Sequence, residues 1–512
     1  SIQAAINRAN GFGGHNVILV TDDVANAVYR ENLNLTNLRS DLRREIIGGF
    51  NNCRDLTPTA FGKASIYGGG TNAPVMNIGG QIDLKLSGLW MEGGTQGIEW
   101  NGRGRIELNG VTINNNDEDG IRVTGQGVQA SRLAISGNVT VSNHLGNGIN
   151  FPPAGEGAHL EIRGAGNSLR SNWAGVFVRG KSSIDIGATG DLISGNRLAG
   201  LAFSYDSGGS QDNYVYSTDP ANPLSITSNI VGINHYSPVA SGRLCLRNIA
   251  FRGNSSTGII ANGGATQIEM NGSDCTFPPE ADIVCDDISF VSCNTFYNNG
   301  TSDLPLIKAS TGAKIAINRA LLYRNRGASL LSTNLGAGAS SASITMTQSV
   351  AFENTIRDNL FESLDGGIVD IWDSTIYNNN GGFGVSLVSI NPGLLQLTNT
   401  ILDQPQTLLT HTGYSANVRL NRVLAPNQTG AEGVQRTILI GRPTFRDHIG
   451  RLSPFSLGVD YAPAAGGVDR DRNPRDVDTS DIPNGFGPRD LGAFEVQETT
   501  SDRIFANGFN VP

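Results

Sequence analysis

Lysine is nearly missing from this chain: five of 512 residues, so that 32 of the 37 basic residues are Arg. Charged residues of all kinds make up 16%, and the net charge is -9. Such a balance excludes nucleic acid as a partner, because phosphate binding needs clustered basic side chains. It also argues against helical bundles and coiled coils, which use Glu and Lys at helical spacing. No apolar run reaches the roughly 18 residues that a membrane-spanning helix needs, so no transmembrane segment is expected. Six His residues (His15, His144, His159, His235, His411, His448) show no HExxH spacing. Gly-x-Ser-x-Gly, phosphate-loop and dinucleotide fingerprints are missing as well. The five Cys residues include no CxxC pair of the kind that zinc sites use.

What the chain has is glycine and asparagine. There are 66 Gly, and about a tenth of the residues are Asn. Gly costs about 1 kcal/mol in a helix interior, and here it does not fall at every third position as in collagen. With 38% hydrophobic residues in short β-branched runs, the chain reads as a large β protein full of turns.

The turns recur with a period near 25 residues. Leu86-Ser-Gly-Leu-Trp-Met-Glu-Gly-Gly-Thr-Gln-Gly-Ile98 is followed 22 residues later by Leu108-Asn-Gly-Val-Thr-Ile-Asn-Asn-Asn-Asp-Glu-Asp-Gly-Ile121. Val139 to Ile149, Leu169 to Val176, Leu192 to Leu201, Ile226 to Ile233 and Ile249 to Ile259 continue the series. Later copies keep the beat: Tyr323, Phe352 and Tyr377 are spaced by 29 and 25, and Ile317, Met346, Ile371 and Leu397 by 29, 25 and 26. A unit of this size cannot bury its apolar face alone, whereas stacked units share one core. Corner Asn residues tolerate left-handed backbone and can pair from coil to coil as amide ladders. The spacing predicts about sixteen to eighteen coils.

This pattern resembles the right-handed parallel β-helix of pectate lyases and many secreted surface proteins, over roughly residues 1 to 410. The fold class is therefore all-β, a parallel β-solenoid. Residues from Ser1 to Asn10 resemble the amphipathic helix that caps the first coil. Segments 206–223 and 262–281 read as loops inserted at corners. Residues 411–495 read as terminal coils and an acidic closing segment, similar to that of secreted bacterial β-helix proteins with interchangeable anchors. Residues 496–512 form a tail in which Arg503 to Phe509 resembles a terminal signature of some Gram-negative secreted proteins, with Asn510 where an acidic finish is usual. Starting at Ser1 without Met, the chain reads as a mature secreted form.

Disulfides follow from that address. Aligning the segments around Cys245 and Cys285 on neighbouring coils favours Cys245–Cys285 with Cys275–Cys293. Cys275–Cys285 across the loop is the other pairing, and Cys53 is left over.

Candidate chemistry is sparse. Asn114 to Gly120 is the densest acidic corner of the repeats, and polygalacturonase-like hydrolases place acid and base carboxylates on such a face. Their Gly-Asp-Asp, His-Gly and Arg-Ile-Lys motifs have no counterpart here, and a turn of self-bonding Asp and Asn explains the corner as well. A lyase needs cations and an Arg, Lys, His or Tyr base. If the coils superimpose as aligned, Asp117, Asp119, Arg122, His144, Asn147, Asn150, Arg179, Lys181, Asp206 and His235 fall on nearby faces. Asp469, Asp471, Asn473, Asp476, Asp478 and Asp481 offer alternating oxygens suited to Ca2+, without the EF-hand's Gly and Glu. Trp90, Trp100, Trp173 and Trp372 are candidates for stacking on sugar rings. Phe505 and Phe509 in the tail are candidates for docking on a second copy. The resulting expectation is a structural or adhesive extracellular protein that binds glycans or its own copies. The alternative is a lyase or hydrolase of acidic polysaccharide using the Asp117–His235 face.

Overall fold

The structure, a computed structural model, describes residues 1–497 except 22–27, 38–42, 53, 56, 59–61, 70–71, 126–130, 153–156, 206–211, 220, 239–242, 273–274, 278–293, 302, 335–340, 382–384, 390–392, 405–416, 429–433 and 480–481, and leaves the side chains of residues 191, 381 and 385–389 undescribed. The chain divides into two compact units, one built on residues 1–244 and the other from Cys245 onward.

Each unit is a parallel β-solenoid of the right-handed type. One coil of the first unit consists of strands Gln81–Ser87, Leu89–Glu92 and Ile98–Trp100, each pairing in parallel with the third strand after it. The pairing is in register with the repeat read from the sequence: Leu86 faces Leu108, and Ile98, Ile121, Ile149, Val176, Leu201 and Ile233 follow one another. In the second unit Ile317, Met346, Ile371 and Leu397 stack in the same way. Within a strand, side chains alternate between core and exterior because the pleat has period two. Ile98 and Trp100 are fully buried on either side of half-buried Glu99.

Among the described residues the face with fewer strands makes eight rungs within the first unit and five within the second, fewer than the spacing predicted. The repeat is not uniform. Phe251 stacks on Phe296, a step of 45 residues, and residues 441–497 leave the repeat altogether. Two segments read as loops contain strands. Asn213–Tyr216 pairs with Ser183–Ala188, and Gln267–Met270 pairs with Lys314–Asn318. Both are four-residue runs between turn residues, too short for their alternation to stand out.

The N-terminal cap is as expected. Helix Ile2–Ala9 buries Ile2 and Ile6 over the first coil. Glu31, on the chain beneath, accepts from the Ile2 N–H at 2.6 Å, the Gln3 N–H at 3.2 Å and the Ser1 hydroxyl at 2.6 Å. Burial opposes the Glu31 charge, but these bonds outweigh it and hold the carboxyl below its usual range.

Cysteine pairing differs from the expectation. Cys245 bonds Cys275, with Cα atoms 5.8 Å apart, which replaces both Cys245–Cys285 and Cys275–Cys293. The stacking of neighbouring coils favours Cys285 as the partner, whereas the chain after Met270 turns back and brings Cys275 to Cys245: the Asn271 N–H bonds the Leu246 carbonyl. Cys53, Cys285 and Cys293 lie outside the described residues.

Candidate functional site on the outer face of the first unit

A ladder at one corner of the coils organises the surface. The Asn196 amide nitrogen donates to Asn229 Oδ1 at 3.0 Å, Asn172 N to Asn196 Oδ1 at 3.0 Å, and His144 N to Asn172 Oδ1 at 3.2 Å. Asn116 N then donates to His144 Nδ1 at 3.2 Å, and Gly94 N to Asn116 Oδ1 at 3.1 Å. His144 is thus one rung among asparagines, fully buried. Burial lowers its pKa to about 4, so Nδ1 stays free to accept. Gly120 leaves room for the ring, since a Cβ there would sit 2.6 Å from Nε2.

Asp119 belongs to a second interlocking set. Its Oδ1 accepts from the Asn147 backbone at 2.8 Å and side chain at 3.1 Å, and its Oδ2 accepts from Asn150 Nδ2 at 2.7 Å. The carboxylate is buried and serves three amide donors on the next coil. Asp117 is exposed, and Arg122 pairs with Glu118 at 3.5 Å. Arg122 and Asn150 are register neighbours on the outer face, followed by Phe177, over which the Arg179 guanidinium lies at 4.0 Å. Lys181 is exposed on the turn beyond.

His235 does not share this face. It continues the inward column Trp100, Val123, Phe151, Val178 and Phe203. Its ring stacks on Phe203 at 4.9 Å, and burial alone lowers its pKa to about 3. Asp206 lies outside the described residues. The ten candidates therefore separate: Asp119, Asn147 and Asn150 meet, Arg122 and Arg179 flank them, His144 is a ladder rung, and His235 is core. Strand phase decides this, because moving one residue along a strand exchanges outside for inside.

The residue after each rung projects outward, giving Asp117, Leu145, Trp173, Arg197 and Ile230 in sequence along one edge. Leu145 is 64%, Trp173 46% and Ile230 45% exposed. Arg197 reaches back past Trp173, donating to the His144 carbonyl at 2.7 Å and the Leu145 carbonyl at 3.1 Å. Leu145, Arg197 and Ile230 were not singled out in the sequence, although their position immediately after a corner Asn or His marks them. Of the four Trp residues, Trp100 is core, Trp90 donates to Glu92 at 3.0 Å, and Trp173 and Trp372 are at the surface.

The Ca2+ candidates lie in the second unit, where residues 441–497 pack across its coils. Arg489 bonds Asp373 at 3.3 Å and Asp476 at 2.9 Å, the Ala493 N–H donates to Thr375 Oγ1 at 2.9 Å, and Phe494 and Ile449 cover the stack of Tyr323, Phe352 and Tyr377. Asp469 accepts from the backbone of Asn473 at 2.8 Å and Glu495 at 3.1 Å. Asp471 accepts from Arg451 Nη2 at 2.7 Å and Nε at 2.8 Å, Asp476 accepts from Ala465 at 3.0 Å, and Asp478 from Asn484 at 3.5 Å. These oxygens answer N–H groups rather than converging. Among the described residues no group of His, Cys, Asp and Glu suits a metal ion. Asp481, Phe505 and Phe509 lie outside the described residues, and no described helix is long and apolar enough to cross a membrane.

Comparison of the chain with protein-family models, curated proteins and solved structures finds no match.

Proposed function

We propose that the chain is an extracellular structural or adhesive scaffold that holds a glycan along the outer face of its first unit. The carrying observation is the exposed edge of Leu145, Trp173, Arg197 and Ile230, with Arg122, Asn150 and Phe177 in register on the strands that follow it and Arg179 lying over Phe177. Exposed apolar strips rimmed by polar groups mark interaction sites, and an indole offers a flat face with little entropy to lose on binding. The engagement of Asp119 and His144 in coil-to-coil bonds favours a scaffold over a catalyst, because an acid or base must reach a substrate proton. The Cys245–Cys275 disulfide and the resemblance to pectin-lyase-like secreted proteins support the extracellular address.

The test is affinity electrophoresis against neutral and uronate polysaccharides, with turnover followed by absorbance of new unsaturated ends and by reducing ends, with and without Ca2+. Retardation without turnover is expected, weakened about tenfold in Trp173→Ala, as loss of one ring-stacking contact implies. Turnover that disappears in Arg179→Ala or Lys181→Ala would replace the scaffold reading with a lyase or hydrolase of acidic polysaccharide. Filaments of purified protein in electron micrographs, without glycan retention, would turn the adhesive role into self-assembly.

A further inference from the structure

A separate groove of about 650 Å³ opens at another corner of the first unit. Its floor is the column Gly48, Gly88, Gly110, Asn138 and Gly166, one residue from each of five successive coils. Four steps of interstrand spacing make the column about 19 Å long. The last four of these positions have left-handed backbone, φ between 56° and 77°. Gly110 faces open space, since a Cβ there would meet no atom nearer than 3.9 Å. Ile47 and Pro58 give the groove apolar patches, and Asn109, Asn138 and Thr140 give it amide and hydroxyl groups.

Its charge is out of balance. Two of the chain's five lysines, Lys63 and Lys85, line it. Lys63 Nζ donates to Thr112 Oγ1 at 2.5 Å and has no carboxylate partner among the described residues. Partial burial lowers its pKa, with no anion opposing the shift. Lys85 reaches Glu45 only at 3.8 Å, and that carboxylate also serves Arg43 at 3.5 Å and His15 at 3.2 Å. A partly desolvated ammonium without a counter-ion gains from an anion placed beside it.

We propose that this groove binds an acidic saccharide in extended form, its anionic group on Lys63 and Lys85 and its hydroxyls on Asn109, Asn138 and Thr140. A long floor in which Asn138 alone carries a side chain suits an oligomer lying along the corner, and the mixture of ammonium, amide and hydroxyl donors matches a carboxylated polyol better than a bare ion. The ligand class rests on the glycan reading above, but the site does not, because it occupies a different corner from Trp173.

Calorimetric titration of the full chain with a short oligouronate, its neutral methyl ester, a sulfated oligosaccharide and inorganic phosphate tests the proposal. The oligouronate should bind and the ester should bind at least tenfold more weakly. Lys63→Gln should weaken oligouronate binding at least tenfold and flatten its salt dependence. Gly110→Asn keeps a backbone that Asn138 already adopts and should block the floor, with thermal melting confirming that both variants fold. Trp173→Ala should leave this site intact. Equal binding of ester and acid, or of phosphate alone, would overturn the proposal, as would wild-type affinity in both Lys63→Gln and Gly110→Asn. If Trp173→Ala alone removed uronate binding, the outer face would stand and the groove would fall. Loss in Lys63→Gln alone would do the reverse. Preference for the sulfated ligand would keep the site and change the acid.

Discussion

His144 and His235 carry the same imidazole into two different interiors, and their pH behaviour follows from that. An unfolded histidine titrates near pH 6.5, whereas His144 is held at about 4 and His235 at about 3 by burial. A base whose folded pKa is lowered binds its proton more readily when unfolded. Its contribution is therefore complete above about pH 6.5 and is lost as pH falls toward the folded value. The His144 shift alone corresponds to about 3 kcal/mol. Melting temperature should fall between pH 6.5 and 4, and His144→Asn, which keeps a ladder acceptor, should flatten that fall. His235→Phe should flatten it further, since the site is already aromatic. Melting curves that keep their acid slope in both variants would contradict these assignments.

Among the elements, the asparagine ladder of the second unit is the most exacting. Asn254, Asn299, Asn325, Asn354 and Asn379 run to Gln404, all buried. Asn325 Nδ2 donates to the Phe296 carbonyl and to Asn354 Oδ1, both at 2.9 Å, while its Oδ1 accepts from the Asn299 backbone and side chain, both at 3.0 Å. Asn325→Ala leaves several buried partners unanswered and should cost roughly 3 kcal/mol, read as a lowered melting temperature. Asn325→Leu, equally buried in size, should do no better, which separates bonding from packing. At the N-terminal cap, Glu31→Gln should cost about 1 kcal/mol. Because the Glu31 pKa is lowered on folding, its contribution is present above the ordinary carboxyl pKa and is lost as pH falls through the folded value. A cap in which Glu31→Gln leaves the exchange of the Ala5 and Ile6 amides unchanged at pH 7 would count against that role.

Across the whole chain, the two units differ in what secures them. The second has the Cys245–Cys275 disulfide, its cysteines separated by 30 positions in sequence, and the irregular segment 441–497 laid across its coils. Replacing both cysteines by Ser should cost about 3 to 4 kcal/mol by the loop-closure argument, seen as a lower melting temperature that reductant no longer changes. Within the segment, burial raises Glu495 to about 7, with Arg475 opposing, and burial and the Glu495 charge raise Asp490. A carboxyl raised on folding contributes fully below its unfolded pKa near 4.5, and that contribution is lost as pH rises through 7. Exchange of the Ala493 and Val496 amides, corrected for intrinsic rate, should therefore accelerate from pH 5 to 8. Glu495→Gln should suppress the acceleration.

Coil register was legible in the sequence because stacking places equivalent residues of successive repeats side by side. Leu86 over Leu108, Tyr323 under Phe352, and the paired corner asparagines all follow from spacing alone. Gly and Asn recur because corners need left-handed backbone, a demand local to a few residues. What surrounds a side chain is not local. Whether His235 meets solvent or Phe203 depends on strand phase, and whether Asp469 meets a cation or the Glu495 N–H depends on a segment folding back from far along the chain. The same holds for Cys245, whose partner depended on how the chain turns after Met270, and for Lys63, whose lack of a carboxylate partner among the described residues emerges only once five corners stand in line.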